Sequence, residues 1–315
     1  MSNVYLPEGL RLGSPQNSEY ISSAEGLRRA MQQDKIIEAP AAMCDCDMNL
    51  YVDLGTVRGV IPREEVALVR PGEEIKQIAV ITRVGKPVCF KVLSVGEERG
   101  MTTAVLSRRL AQIECKRRFV DDLIPGDIVK AKVTHMEPFG AFVDIGCGIV
   151  SLMSIDSISV SRIAHPSDRF YNGQEIYAVI KTVDRENDRI FVSHRELLGT
   201  WEENAALFSP MQTVSGIVRS IEDYGIFVEL APNLAGLAEF KSGVSVGDIA
   251  CVYIKSMIPA RMKIKLVLID ASRPGGGGPP PPRYFVDPRA TAHLDRWLYS
   301  PAECAKVIET VFAPQ

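Results

Sequence analysis

An internal repeat constrains this chain more than any other feature. Ile128 to Ile145 reads IVKAKVTHMEPFGAFVDI, and Thr213 to Leu230 reads TVSGIVRSIEDYGIFVEL. At a constant offset of 85, Val129, Val133, Glu137, Gly140, Phe142 and Val143 recur as Val214, Val218, Glu222, Gly225, Phe227 and Val228. Phe139 becomes Tyr224, and Asp144 becomes Glu229. A weaker third copy lies upstream. Tyr51-Val52-Asp53-Leu54-Gly55 echoes Phe142-Val143-Asp144-Ile145-Gly146, with Met48 and Asn49 where Phe139 and Gly140 stand.

The repeat has the period of a β-strand. Ala141, Val143 and Ile145 alternate with Phe142 and Asp144, and a period of two sends successive side chains to opposite faces. Further strands are expected at Ile149 to Met153, Glu175 to Val183 and Arg189 to Ser193. Pro125-Gly126-Asp127 and Asn172-Gly173 punctuate them. Five short strands in roughly 70 residues suit a small closed barrel, which leaves no sheet edge exposed. The expected fold class is mostly β: tandem five-stranded barrels joined by short helices, with a Gly/Pro-rich linker and a short C-terminal tail. An N-terminal arm and helix would span 1–34, a degenerate barrel 35–109 and a linker helix 110–123. A second barrel would span 124–195, a linker helix 196–210 and a third barrel 211–271. Ser107 to Asp122 carries Leu110, Ile113 and Phe119 on one side. Thr200-Trp201-Glu202-Glu203 is a capping-box pattern, and Ser22 with Glu25 repeats it for a helix through Met31. Gly275 to Gly278 followed by Pro279 to Pro282 marks a linker over 272–283, flexible and then stiff, before a tail over 284–315.

The net charge of −3 argues against adhesion to nucleic acid by global charge. Any nucleic-acid binding would have to rest on local patches and base stacking, and would be tolerant of sequence. No run of about 18 apolar residues occurs, so no membrane span is expected. Met1 to Ser14 holds no apolar signal core, and a cytoplasmic location is expected. The seven cysteines are odd in number and lack framework spacing, which suits reduced thiols. Cys44-Asp45-Cys46 has no second pair to complete a zinc site, so no metal is expected. No phosphate-cradling glycine loop, nucleophile elbow or metal-binding helix motif is present, and His135, His165 and His194 converge on no serine or cysteine motif. Neither an enzyme nor a cofactor is expected.

Pro138-Phe139-Gly140-Ala141-Phe142-Val143 is the most informative stretch. Residues three apart face opposite sides of a regular strand. Phe139 and Phe142 would share a face only if the strand bulges or bends between them, which Gly140 permits. Two rings on one face form a platform for stacked bases, each contributing about 1–3 kcal/mol. The other reading is that one or both rings fill the core. Recurrence as Tyr224-Gly225-Ile226-Phe227 strengthens the platform reading and leaves both open.

These residues resemble the RNA-binding domain of the ribosomal protein S1 family. The matching stretch runs through Pro125-Gly126-Asp127, Phe139 to Asp144, Asn172-Gly173-Gln174, Val183-Asp184 and Arg189-Ile190-Phe191-Val192-Ser193. The likeness is strong over 124–195, good over 211–271 and loose over 36–109. The whole chain resembles short three-barrel forms from some Gram-positive bacteria, of clostridial type. The resemblance implies a five-stranded OB barrel that binds single-stranded RNA, often messenger RNA, at the small ribosomal subunit. It places RNA contacts at Phe139, Phe142, Asp184 and Arg189 in the second barrel, and at Tyr224, Phe227 and Lys263 in the third. There Ile258 takes the aspartate position, so part of that site is missing. The histidine that the family often carries on strand three falls on Pro62, Ser154 and Glu239. The second barrel is therefore expected to bind best and the first to contribute least.

Basic residues cluster as well. Arg108, Arg109, Lys116, Arg117 and Arg118 form either a patch that tracks the RNA backbone or a solvated helix face. Lys132 and Lys181 flank the second barrel and are further candidates for phosphate contact. The tail mixes aromatics with arginine in Arg283-Tyr284-Phe285 and His293 to Tyr299. It reads as a docking peptide, for a protein partner or for the chain's own barrels. The alternative is a loosely packed terminal helix from Pro301 to Val311. Two functional readings follow: a single-stranded RNA binder acting in translation, or a ribosome- or protein-docking scaffold that meets RNA incidentally. An RNA-processing enzyme would need a catalytic domain for which no sequence is left over.

Overall fold

A computed structural model describes residues 5–312 apart from 71, 99 and 277. Among the described residues the chain forms three closed five-stranded barrels and one two-stranded sheet. The first barrel comprises β1 (Ile37–Cys44), β2 (Leu50–Leu54), β3 (Val57–Ile61), β4 (Pro87–Glu98) and β5 (Met101–Ser107). The second comprises β6 (Ile128–Glu137), β7 (Gly140–Gly146), β8 (Ile149–Ser154), β9 (Glu175–Asp184) and β10 (Arg189–Ser193). The third comprises β11 (Thr213–Glu222), β12 (Gly225–Ala231), β13 (Leu234–Ala238), β14 (Ile249–Ile258) and β15 (Lys263–Ser272). The topology is the same each time. Three strands form a meander, the fourth closes on the first, and the fifth slips in parallel to the third. This is the closed Greek-key arrangement of the OB fold. Strand alternation produces it: along β15, Ile264, Leu266 and Leu268 are buried while Lys263, Lys265 and Val267 are exposed.

Short helices α1 (Pro15–Ile21), α2 (Ala24–Gln32), α3 (Gln77–Ile81), α4 (Arg108–Arg118) and α5 (Trp201–Ala205) accompany the barrels. The capping box of α5 forms as its sequence implies, with Thr200 and Glu203 each accepting from the other's backbone N–H. Two helical expectations need correction. The cap of α2 is Ser23 rather than Ser22, because Ser22 already terminates α1 while Ser23 is extended and its Oγ accepts from Gly26 N at 3.0 Å. On α4 the buried stripe is Arg108, Ala111, Gln112 and Cys115, and Leu110 and Ile113 are only half-buried. That stripe has the 3, 4, 7 spacing of one helix face, which the apolar residues alone did not reveal.

The chain divides into two compact units. One runs through Leu123 and takes in Lys130–Lys132 and Asp144–Val150, and the other holds Ile124–Val129, Val133–Val143 and the chain from Ser151 onward. In the first, Tyr20, Leu27 and Ala30 of the helices complete the core of the first barrel. In the second, the tail belongs to the core. Trp297 and Tyr299 pack with Trp201 and Leu234, and the Tyr284 hydroxyl accepts from Tyr177 N at 2.9 Å. The segment from Pro301 to Val311 is not a helix. Its end, β17 (Glu309–Val311), pairs antiparallel with β16 (Arg296–Leu298), an extended form that suits β-branched Thr310 and Val311. Docking on the chain's own barrels is thus what the tail does.

Candidate nucleic-acid interface

Phe139 does not lie within a bulged strand, contrary to the sequence expectation. It occupies the tight turn between β6 and β7, and Gly140 opens β7. The turn, rather than a bulge, frees Phe139 from strand alternation and lets it join Phe142. Gly140 is needed for space. A Cβ there would lie 2.3 Å from the Met153 carbonyl oxygen and 3.0 Å from Ser154 Cα, so β8 can approach β7 closely only with glycine. Phe139 is 57 % exposed, and Phe142 is half-buried. Their rings meet edge to face, with centroids 6.0 Å apart and planes at 89°. The third barrel repeats this notch: Tyr224 and Phe227 stand 6.1 Å apart at 89°, with Tyr224 exposed. Both pairs point out of the core, and each presents a ring face beside a perpendicular ring, a geometry that accepts a stacked base.

Sequence reasoning missed a third ring. His135 on β6 lies nearly parallel to Phe142, with centroids 6.2 Å apart and planes at 23°. It is exposed, and its Nε2 stands 2.7 Å from Glu137 Oε1. The signal was present: cross-strand neighbours share a face. Thr134 Oγ1 donates to the Phe142 carbonyl at 3.0 Å and locks β6 to β7 at this point.

The remaining family positions fall at one end of each barrel. Asp184 and Arg189 are register partners where β9 turns into β10. Ile258 and Lys263 occupy the same place between β14 and β15. Asp184 accepts from Asn187 N at 3.0 Å and from Asn187 Nδ2 at 2.9 Å. These bonds hold its carboxyl below the usual range and shape the turn that presents exposed Arg189. Ser154, at the strand-three histidine position, bonds Ser157 Oγ at 2.9 Å.

The basic candidates divide. Arg108 is corrected from a phosphate contact to a buried structural side chain. It is 3 % exposed, and its Nε and Nη2 donate to the two Glu8 carboxylate oxygens at 2.6 and 3.0 Å. Burial alone would raise the Glu8 carboxyl, but Arg108 holds it below its ordinary range. Lys132 is likewise engaged, donating to the Glu8 carbonyl at 2.9 Å. Arg109 pairs with Glu65 at 2.6 Å, Lys116 with Asp121 at 2.9 Å, and Lys181 donates to Ser157 Oγ at 2.8 Å. Arg117 and Arg118 stay exposed. The α4 cluster is therefore largely a set of ion pairs rather than an open cationic stripe. Among the described residues no group of three or more His, Cys, Asp or Glu side chains is placed to hold a metal, and no helix is long and apolar enough to cross a membrane.

Comparison with known proteins points the same way. The S1 RNA binding domain model matches residues 122–195, which is the second barrel. The small ribosomal subunit protein bS1 homolog of Bacillus subtilis (strain 168) is 33 % identical over 196 residues, covering 60 % of this chain and 48 % of that protein. Small ribosomal subunit protein bS1 of Staphylococcus haemolyticus is 30 % identical over 241 residues, covering 75 % and 57 %. The chain thus spans about half the length of the curated relatives it matches. A solved multidomain protein with nucleic acid binding domains from Streptococcus pneumoniae aligns with 75 % of this chain and 73 % of its own at 17 % identity, with a TM-score of 0.24, too low to bear on function. With three OB barrels and a doubled aromatic notch, the chain matches the S1 RNA binding domain over its second barrel and is similar to small ribosomal subunit proteins of the bS1 type.

Proposed function

We propose that this chain binds single-stranded RNA, messenger RNA included, chiefly through its second barrel, and acts in translation at the small ribosomal subunit in the cytoplasm. The observation that carries the reading is the notch of Phe139 and Phe142, two solvent-facing rings at right angles on a barrel that matches the S1 RNA binding domain. The mechanism is passive. An unpaired base stacks on a ring face, Arg189 engages the adjoining phosphate, and the third barrel adds a second foothold at Tyr224, Phe227 and Lys263. The ribosomal partner is supported by the relatives' names, and no catalytic step is invoked.

The test is a Phe139→Ala, Phe142→Ala double variant in the full chain, assayed against a labelled single-stranded RNA. An affinity loss of at least tenfold with unchanged circular dichroism supports the reading, and unchanged affinity refutes it. The scaffold reading draws on the first barrel, whose counterpart of the notch is Met48 and Tyr51. Ribosome co-sedimentation that survives both nuclease treatment and the double substitution would favour it.

A further inference from the structure

Strand register aligns one outward-pointing residue from each strand into a band around every barrel. In the third barrel the band is complete from pairing alone: Ser220 opposes Phe227, Phe227 opposes Leu237, Leu237 opposes Lys265 and Lys265 opposes Ser256. In the first barrel it runs Met43, Tyr51, Val60, Val105, Ser94. In the second barrel His135 stacks on Phe142, and Leu152 lies beside Phe191, which opposes Thr182. The offset of 85 carries Leu237 onto Leu152, so Leu152 stands between Phe142 and Phe191.

The bands differ in chemistry. The second barrel presents His135, Phe142 and Phe191, three flat rings spread over three strands. The first and third barrels present a single ring each, at Tyr51 and Phe227. Where the second has Phe191, the third has exposed Lys265 and the first has Val105.

Resting on the RNA-binding reading above, we infer that the second barrel binds several successive unpaired nucleotides along this band, with His135 and Phe191 as outer stacking residues beyond the Phe139–Phe142 notch. Phe142 and Phe191 are separated by two inter-strand spacings, roughly 9–10 Å. Leu152 forms the apolar floor between them. Every base has a π-face, so such a track is tolerant of sequence and selects for unpaired strands. Beyond its Tyr224–Phe227 notch, the third barrel offers an ammonium group in place of an outer ring. It holds one base and then a phosphate, and is accordingly the shorter and more salt-sensitive site.

The experiment measures binding of the full chain to a labelled oligouridine octamer by fluorescence anisotropy, with thermal melts to confirm folding. Phe191→Ser and His135→Ala are each expected to weaken binding about fivefold or more, the lower bound for losing one stacked base. Lys265→Phe, which installs the missing ring in the third barrel, is expected to strengthen it. Should Phe191→Ser and His135→Ala bind like the parent while Phe139→Ala, Phe142→Ala does not, the extended track is overturned and the RNA-binding reading survives. Should none of these variants weaken binding, both fall. If Phe191→Ser proves unstable, Lys265→Phe still decides: unchanged or weaker binding counts against the track.

Discussion

Arg169 and Glu229, sixty residues apart, form an ion pair that both side chains bury almost completely. Arg169 follows β8 in the second barrel and Glu229 lies on β12 in the third, so the pair ties these barrels inside one compact unit. Arg219 adds a second cation, its Nε donating to Glu229 Oε2 at 2.8 Å and its Nη1 lying 3.3 Å from Asp168 Oδ1. Removing the carboxylate would leave two guanidinium groups buried without it. Glu229→Ala is therefore expected to destabilise this unit by about 3–5 kcal/mol. Both tryptophans, Trp201 and Trp297, lie in this unit, so urea unfolding followed by tryptophan fluorescence reads the effect directly. A loss below about 1 kcal/mol would show the pair to be dispensable.

Most of the architecture was legible because it is repeated. An offset of 85 with period-two alternation was enough to expect small closed barrels, the resemblance supplied the OB fold, and the strand at Arg189 to Ser193 was expected with its observed bounds. The aromatic notch was legible for the same reason, although its physical cause was misjudged. A bulge was expected where a hairpin turn does the work. Phe191 was not legible as a ring position, because its place depends on which strand lies beside which, and His135 was missed although the β6–β7 hairpin alone brings it beside Phe142. The arginines misled in the opposite direction. Arg108 looks like a solvent cation in sequence, and only the fold shows Glu8, a hundred residues earlier, sealing it. The tail was read as a docking segment from its aromatics, but strand pairing between residues 296–298 and 309–311 is non-local and left no periodic trace.

His194 gives this unit a defined acid sensitivity. Its ring is buried, Nδ1 donates to the Tyr177 carbonyl at 2.8 Å, and Phe170 and Tyr284 pack edge-on against it. Burial pushes its pKa down to about 4 despite that hydrogen bond, with Arg169 acting in the same direction. The unfolded chain takes up this proton near pH 6.5, whereas the folded chain resists until about pH 4. Stability is therefore lost as pH falls from 6.5 to 4, by an amount on the order of 3 kcal/mol. Glu38 and Asp144, pushed up to about 7 mainly by burial, act in the opposite sense over part of the same window. They are common to parent and variant, so comparison with His194→Gln isolates the histidine. The variant is expected to start less stable at pH 7 and to lose less on acidification. Equal losses in the two proteins would count against the assignment.

Gly140→Ala tests the close approach of β7 and β8. The added methyl would meet the Met153 carbonyl at 2.3 Å, and the obstacle is main chain rather than a side chain able to rotate away. Overpacking of this kind costs about 1–3 kcal/mol. Because Gly140 adjoins the turn that carries Phe139, RNA affinity should fall along with the denaturation midpoint. An alanine variant with parental stability and affinity would show that the two strands have room to part.

Salt dependence separates the stacking and ionic parts of RNA binding. The chain carries a net charge of −3, and Arg108, Lys132 and Lys181 are already engaged with protein groups. Arg189, Lys263 and Lys265, all exposed on the barrels, are the cations that the binding reading assigns to phosphates. Each contact to a single strand contributes about 0.7 to the slope of log affinity against log salt. A slope of roughly −2 is thus expected, far shallower than for a protein held mainly by charge. Arg189→Ala should flatten it by about 0.7. The Phe139→Ala, Phe142→Ala variant should lower affinity by a similar factor at every salt concentration and leave the slope unchanged, because a lost ring releases no counterions. A slope steeper than about −5 in the parent would place most of the binding energy on cations and deny the rings their role.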